Sequence, residues 1–403
     1  MMESQKVGSL NPANGSKLLA QELDRASQWL RKTALPLWSH AGFDVNRGAF
    51  HEQLDFSLAP SVSQPMRVMV QARQISVFSA AALSGRFVSG EHLALVAAQN
   101  MIDRYERADG AEGWIFSLSS DDRVRNPLRD LYAHAFVLFG LSWVIRLEPR
   151  RSFLEAMERT LSFIDAKMKD TERGGYWDTL PRKDELRRQN PHMHLFEAFI
   201  ALHEATGEGR FLDAGAALCN LMLSRLLSPE GGALREYFSD DWSVYPAEGA
   251  GRVEPGHLFE WSWLLTRYQA ISGKDQSGSI KRMMAMAIQY GLDKETGRII
   301  DEIAEDGRAL KTSSRAWPHA EALKAFSAVP ADLGGGDISA ITAILRRFMT
   351  IYCSPSMGGG WQDQMDCEDR PSRPNIPAST LYHIYFAISS VEDAFPNKTE
   401  IYE

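Results

Sequence analysis

The feature that most constrains the fold of this 403-residue chain is an internal repeat of about 60 residues. A glycine-containing turn followed by an alternating apolar and polar run, a pattern typical of a short hairpin, occurs six times. The runs are RGAFHEQLD at 47–55, EGWIFSLSSD at 112–121, RGGYWDTL at 173–180, GGALREYFSDD at 231–241, GRIIDEIAED at 297–306 and GGGWQDQMD at 358–366. Glycine suits the left-handed backbone of such turns, which we assign to Gly48, Gly113, Gly175, Gly232, Gly297 and Gly360.

Two kinds of helix flank each turn. Before it, apolar residues recur at i, i+3, i+4 and i+7 between charges, as in KLLAQELDRASQWLRK, which predicts a helix buried on one face. After it comes a more uniformly apolar pattern, such as LYAHAFVLFGLSWVI, which predicts a helix buried on all sides. Six such units predict an all-α (α/α)6 barrel, with six inner helices inside six outer ones and the hairpin turns at one mouth. An open superhelix of helix pairs is the alternative. The count of six and the lack of a polar capping repeat in the sequence favour closure.

Composition narrows the organisation and the partners. No linker rich in Ser, Gly and Pro divides the chain, so we expect one domain over 1–403, with 1–15 as a loose N-terminal segment. The net charge of -8 argues against a nucleic-acid or anionic-membrane surface, and no apolar run approaches the ~20 residues that cross a bilayer. Cys219, Cys353 and Cys367 are odd in number and not in CxxC spacing. They predict no disulfide framework or zinc ribbon and favour a cytoplasmic location.

Polar residues recur in one register of the apolar helices. The sequence HLFE occurs twice, beginning at His194 and at His257, and we expect the two copies to occupy equivalent places. With them, the series about 60 residues apart comprises Arg73, His134, His194, His257, His319 and His383. Any one of these alone reads most simply as a satisfied core residue. Together they predict a wet cavity at one mouth, because burying each without a partner would cost several kcal/mol.

Several kinds of site could occupy such a cavity. His and Glu three residues apart face the same side of a helix and could share a metal ion, but HExxH is absent and we predict no metal. Glu260 and Glu321 could be the carboxylate pair of a glycosidase. Trp317 could stack on the apolar face of a sugar, while Tyr132 and Asn190 could hydrogen-bond its hydroxyls.

Four segments carry a family resemblance. NPHMHLFEAF, EPGHLFEW, WPHAEALKAF and ASTLYHIY resemble the N-acylglucosamine 2-epimerase superfamily, which includes cellobiose 2-epimerases and mannose isomerases. The resemblance runs from about residue 20 to 393. It implies an (α/α)6 barrel that needs no metal or redox cofactor. It also implies that one histidine removes the proton beside a carbonyl of the opened sugar, and a second acts as the acid or returns the proton.

The resemblance also implies roles for particular residues. His257 and His383 match the catalytic histidine pair, and Glu260 matches the glutamate that orients the first of them. Arg73 matches the arginine that steadies the carbonyl or enediolate oxygen. The other family contacts with substrate match Asn190, His194 and Trp317. Independently, imidazole titrates near neutrality, and a fixed arginine charge stabilises a developing oxyanion.

The segment before His383, RPNIPASTLYHIY, is most similar to the mannose isomerase branch. This resemblance implies a cofactor-independent isomerase that interconverts the monosaccharides D-mannose and D-fructose through a cis-enediol. The alternatives are a sugar 2-epimerase with the same histidine pair, and a non-catalytic helical-repeat protein that binds a partner. The sequence leaves open whether the sugar is phosphorylated, whether the chain forms a homodimer, and what His134, His319 and Glu321 do. A phosphate could bind arginines such as Arg182, Arg187 and Arg188.

Overall fold

The computed structural model describes residues 12–245 and 251–396. Within them the α-helices are Pro12–Trp29 (α1), Leu35–His40 (α2), Val68–Leu83 (α3), Gly90–Tyr105 (α4), Leu131–Leu147 (α5), Arg151–Phe163 (α6), Gln189–Thr206 (α7), Gly209–Leu221 (α8), Pro255–Ser272 (α9), Ser277–Met286 (α10), Ala316–Ala328 (α11), Ile338–Arg347 (α12) and Leu381–Ala394 (α13). Turns of π-helix span Leu30–Ala34, Ile164–Met168, Met222–Leu226, Ala287–Gly291 and Phe348–Tyr352. Short 3₁₀ turns span Ala331–Leu333, Pro355–Met357 and Ala378–Thr380.

The two predicted kinds of helix are both present. Helix α5 is buried from Leu131 to Ile145 except at Tyr132 and Trp143, as expected for an inner helix. Helices α3, α7, α9, α11 and α13 are buried to a similar extent. The outer helices bury one face, which in α6 comprises Phe153, Ala156, Met157, Thr160 and Phe163. The prediction of an (α/α)6 barrel is confirmed.

Short antiparallel strands occupy the end of the barrel where the inner helices begin. They are Phe43–Asp44 (β1), Ala49–Phe50 (β2), Gln53–Leu54 (β3), Met66–Arg67 (β4), Ser117–Leu118 (β5), Val124–Asn126 (β6), Arg129–Asp130 (β7), Thr179–Leu180 (β8), Arg187–Arg188 (β9), Tyr237–Phe238 (β10), Arg252–Val253 (β11), Leu292–Asp293 (β12), Arg298–Ile299 (β13), Glu302–Ala304 (β14), Ala309–Lys311 (β15), Ser314–Arg315 (β16), Gln364–Met365 (β17) and Ile376–Pro377 (β18). The strand that leads into each inner helix pairs with a strand of the next unit: β4 with β5, β7 with β8, β9 with β10, β11 with β14, and β16 with β17.

A sixth pair closes the ring. Strand β18 of the last unit pairs with β3 of the first, so that Ile376 lies opposite Leu54. Helix α13 packs against α3 at the same seam, where Gln74 Nε2 donates to the carbonyl oxygen of Ala378 at 2.8 Å. The sheet pairs and the inner helices therefore both close on themselves, unlike the open superhelix that was the alternative.

The glycine turns follow the prediction in five units. Gly48, Gly113, Gly175, Gly232 and Gly297 all have φ between +65° and +82°. In the sixth unit the left-handed residues are Gly358 and Gly359 rather than the predicted Gly360. A Cβ on Gly359 would lie 2.7 Å from the carbonyl oxygen of Thr33, so close approach to the first outer helix selects glycine one position earlier.

Two further expectations concerned the N-terminal segment and membrane-spanning helices. Helix α1 begins at Pro12, inside the segment 1–15 that was expected to be loose, and residues 1–11 lie outside the described residues. Among the described helices, none combines the length and apolarity needed to cross a bilayer.

Candidate active site

A cavity of about 270 Å³ lies at the end of the barrel where the inner helices begin. Its lining includes every site residue predicted from the sequence, namely Arg73, Tyr132, Asn190, His194, His257, Glu260, Trp317 and His383. It also includes residues that the sequence did not single out: Glu254, Arg315, Asp363, Arg373, Ser379 and Thr380. Several of these lie just before an inner helix. A search limited to polar residues within the apolar helices therefore misses them.

The two HLFE copies do not occupy equivalent places. Helices α7 and α9 are both 18 residues long and both end before a left-handed glycine, so they can be compared position by position. His194 and Glu260 are each the sixth residue, whereas His257 is the third and matches Pro191. The copies are therefore offset by one helical turn, and the prediction of equivalence is wrong. The offset brings His194 Nε2 to 4.0 Å from Glu260 Oε1 on the neighbouring helix.

His134 and His319, whose roles the sequence left open, lie outside the cavity. Nδ1 of His134 donates to the carbonyl oxygen of Asp130 at 2.7 Å, and its Nε2 accepts from the backbone N–H of Trp114 at 3.1 Å. His319 makes the same two contacts in its own unit, and so does His192. Burial lowers the pKa of His134 to about 4, so its ring stays neutral. These histidines tie the start of an inner helix to the glycine turn before it.

His257 is surrounded by carboxylates. Its Nδ1 lies 2.9 Å from Glu236 Oε1 and 4.0 Å from Glu254 Oε2. Burial alone would lower the pKa of His257, but the charges of Glu236, Glu254 and Glu260 raise it to about 9. The ring is therefore protonated at neutral pH and can act as an acid.

The resemblance implied that Glu260 orients His257. The carboxylate that contacts His257 Nδ1 is instead that of Glu236. Both carboxyl oxygens of Glu260 are buried and lack a hydrogen-bond partner among the described residues. Burial raises the pKa of Glu260 well above its usual range, and the nearby charge of Glu321 raises it further. A carboxyl in this position holds a proton more readily than a free one, and in its protonated form it can donate a hydrogen bond into the cavity.

His383 is held by a carboxylate but lies among cations. Its Nδ1 is 2.6 Å from Glu321 Oε1. Burial lowers the pKa of His383 well below its usual range, and the charges of Arg73 and Lys324 lower it further. The ring is neutral, and with Glu321 ionised Nδ1–H donates to it and Nε2 is the basic nitrogen.

Trp317 lies between the two histidines. Its ring centroid is 4.9 Å from that of His257 and 5.8 Å from that of His383. Gly256 makes room for it, since a Cβ at that position would lie 2.6 Å from the indole ring.

Arg73 is fixed from three sides. Its guanidinium donates to Tyr132 Oη at 2.5 Å and to the carbonyl oxygen of Ser379 at 3.0 Å. It also lies 4.0 Å from the centroid of the Phe136 ring. A positive charge held in this way needs little rearrangement to stabilise an oxyanion.

His194 has two carboxylic neighbours. Its Nδ1 lies 3.0 Å from Glu197 Oε2, and the hydroxyl of Tyr382 donates to the other oxygen of Glu197. Burial lowers the pKa of His194 to about 4. The neutral ring lines the cavity beside Glu260.

Three sets of buried side chains bring atoms of the kind that bind metals within 4.8 Å of one another. They are His194, Glu197 and Glu260; Glu236, Glu254 and His257; and Glu260, Glu321 and His383. We assign none of them as a metal site. Each histidine already places Nδ1 against a carboxylate, and Lys324 already supplies a cation to Glu321.

Comparisons with known proteins agree on the family. Residues 48–387 match the family model of N-acylglucosamine 2-epimerase (GlcNAc 2-epimerase). The chain is 31% identical over 379 residues to a mannose-6-phosphate isomerase of Rhizobium meliloti, covering 91% of this chain and 95% of that protein. It is 24% identical over 358 residues to a D-mannose isomerase of Thermobifida fusca, covering 83% and 86%. The solved structure of cellobiose 2-epimerase from Bacillus thermoamylovorans matches with a TM-score of 0.83 at 17% identity, covering 93% of this chain and 100% of that one.

The proteins that the chain resembles thus include both isomerases and epimerases, and each of those described here is named for a reaction on a sugar. The match to the family model spans most of the described barrel, from the first glycine turn to helix α13. The chain belongs to the N-acylglucosamine 2-epimerase family.

Proposed function

We propose that this protein is an aldose–ketose isomerase that interconverts D-mannose and D-fructose. The observation that carries the proposal is the pair of histidines beside Trp317, of which His257 is protonated at neutral pH and His383 is neutral. An acid and a base on either side of one ring are what proton transfer along a two-carbon unit requires.

In the proposed reaction, His383 Nε2 takes the proton from C2 of the open-chain aldose while His257 donates a proton to the carbonyl oxygen at C1. The product of this step is a cis-enediol. Arg73 stabilises the negative charge that develops on oxygen, and Glu260 donates a hydrogen bond to a sugar oxygen. The C2 hydroxyl then gives its proton to His257 as His383 passes a proton to C1, which gives the ketose and restores both histidines.

The size of the cavity and the relatives support a monosaccharide substrate. At ~30 Å³ per water, a volume of about 270 Å³ corresponds to roughly nine waters. That is enough room for one hexose. Two of the relatives described above carry the name of a mannose or mannose-6-phosphate isomerase.

The second candidate is a sugar 2-epimerase. The fold match to a cellobiose 2-epimerase favours it, and the first proton transfer would be the same. The two reactions differ only in whether the proton returns to C1 or to the other face of C2.

The deciding experiment is NMR of the purified protein with D-mannose in D₂O buffer containing EDTA. An isomerase yields fructose with deuterium at C1, whereas an epimerase yields glucose with deuterium at C2. D-mannose 6-phosphate, N-acetylmannosamine and cellobiose are run in parallel, and His383→Asn serves as the inactive control. Lack of conversion of all four sugars would contradict both candidates.

A further inference from the structure

A lysine lies buried beneath the cavity. Lys324 of α11 has no exposed surface, and neither has Glu321 one turn before it. Lys324 Nζ lies 2.6 Å from Glu321 Oε2 and 3.8 Å from the centroid of the Trp263 ring. Taking an ammonium and a carboxylate out of water costs several kcal/mol per ion, and such a pair adds little to stability. A role in the site would account for its presence.

The two oxygens of Glu321 face different partners. Oε1 receives the hydrogen bond from His383 Nδ1 at 2.6 Å, and Oε2 faces the ammonium of Lys324. Lys324 therefore lies two contacts away from the basic nitrogen of His383. It does not line the cavity, so it cannot touch the sugar directly.

Burial raises the pKa of Glu321 and the charge of Glu197 raises it further, whereas Lys324 lowers it. Glu197 and Glu260 lie close enough for their charges to interact with those of Glu321, Lys324 and one another. Three carboxyl groups thus share one ammonium, and like charges at this range favour protonation. A protonated Glu321 would no longer favour the tautomer of His383 that leaves Nε2 basic.

We propose that Lys324 is a positioning residue for proton transfer: its ammonium keeps Glu321 ionised, and Glu321 in turn holds His383 with Nδ1 protonated and Nε2 free. The inference rests on the proposed function, because it assigns the base of that reaction.

Removing the Lys324 charge shifts the titration in the same direction whether the proton binds to Glu321 or to His383. If the ammonium is removed, the pair formed by Glu321 and His383 takes up an additional proton at higher pH, whether on the carboxylate or on the ring. The other titratable or charged groups near this pair come from the remaining inner helices and the adjoining loop, and they stay in place: Arg73, Tyr132, His194, Glu197, His257, Glu260, Asp363 and Tyr382.

The test is Lys324→Met in the full chain, which removes the charge and keeps much of the stem. Histidine titration is followed by NMR of the imidazole carbons and nitrogens, with His383 assigned from its signals missing in His383→Asn. We expect the transition of the pair, and the acid limb of the kcat/KM profile, to move up by about one pH unit or more. We also expect kcat at neutral pH to fall at least about tenfold with little change in KM. An unmoved transition would overturn the proposal.

Two further variants separate charge from packing. Phe326→Leu, on the same helix against Phe259, loses packing and should leave the titration where it is. If Lys324→Met does not fold, Lys324→Arg keeps the charge and must reproduce the wild-type transition; a shift of a unit or more there contradicts the proposal. Titration needs no turnover, so it tests Lys324 even if none of the four sugars is a substrate.

Discussion

At the scale of single residues, two imidazoles held in the same way acquire opposite roles from their surroundings. Both His257 and His383 place Nδ1 against a glutamate oxygen, at 2.9 and 2.6 Å. Two more carboxylates act on the first ring, whereas Arg73 and Lys324 act on the second. Burial acts against a proton on both rings; the charge and hydrogen bond of Glu236 oppose it at His257, whereas the charges of Arg73 and Lys324 add to it at His383.

The raised pKa of His257 predicts an alkaline limit to activity. The ring loses its proton as pH rises through about 9, so kcat/KM should fall above that value. The same shift contributes folding stability that is present below the unfolded pKa of about 6.5 and lost through pH 9. Replacing Glu236 by Gln should move the alkaline limb down by ~1–3 units. The measurement is kcat/KM from pH 6 to 10.5, with the outlying Glu305→Gln as control. If the alkaline limb of the kcat/KM profile stays near pH 9 in Glu236→Gln, a group other than His257 sets that limit.

Gly256 offers a second prediction at this scale. Gly256→Ala places a methyl group 2.6 Å from the Trp317 ring, which must then move from its place between the histidines. We expect kcat/KM to fall by roughly 10- to 100-fold with the fold intact, because a displacement of about 1 Å can cost that much. Steady-state kinetics and circular dichroism check this. Gly209→Ala, with nothing within 4 Å, is the matched control and should leave activity unchanged.

The residues of the cavity were largely predictable, but their partners were not. Arg73, His194 and His383 stand out because polar side chains are rare in such apolar helices. Glu236 precedes β10 in an irregular stretch and meets His257 only after folding. A contact between separate elements leaves no local pattern in the sequence. The motif HLFE drew attention to Glu260 instead.

At the scale of helices and turns, a histidine joins each of three inner helices to its glycine turn. One nitrogen bonds a carbonyl group at the helix start and the other accepts a backbone N–H from the turn. In the first unit the side-chain amide of Gln71 accepts from the backbone N–H of Phe50 and donates to the carbonyl oxygen of the same residue. The repeat in the sequence therefore mixes a structural position, the fourth residue of the helix in His134 and His319, with cavity positions, the sixth in His194 and the third in His257. Spacing alone could not separate them, because both recur about every 60 residues.

Removing a structural histidine should affect stability without affecting catalysis. His319→Ala leaves the buried N–H of Ile299 without its partner, which should cost about 1–3 kcal/mol of unfolding free energy. Urea denaturation measures the loss, and kcat should stay within about twofold. His194→Ala is the counterpart and should lower activity more than stability. If His319→Ala reduces kcat as much as His194→Ala does, the division of the series into two roles is wrong.

At the scale of the whole molecule, one seam joins the first and last units. Glu392 of α13 binds Arg31 at 2.9 Å and Arg86 at 2.5 Å, so a single half-buried carboxylate links helix α13 to the first unit. The sixfold period and the two helix types predicted the barrel from sequence. The strand pairs between units could not be predicted, since each strand is too short to show a pattern.

Glu392→Gln tests how much this link contributes. Burial acts to raise the pKa of Glu392, but hydrogen bonds from Ser27 and Arg86 and the charges of Arg86 and Arg31 keep it below its usual range. Its stabilisation is therefore present above the unfolded pKa and lost as pH falls through the folded value. We expect Glu392→Gln to lower the unfolding free energy by about 1–3 kcal/mol at pH 7, with the difference shrinking below pH 4. Thermal unfolding at both pH values measures it. Glu155→Gln, in an exposed pair with Arg151, should change little.

The closing strand pair also sets an order of events during synthesis. Asn375 donates to Gln53 from 322 positions further along the chain. On the ribosome, the first unit therefore emerges with its strand edge and the flank of α3 uncovered, long before its partners are translated. The base of the proposed reaction lies on α13, so a nascent chain cannot be active before the last unit arrives. Until then, the uncovered strand edge and helix flank of the first unit are surfaces through which the nascent chain can aggregate.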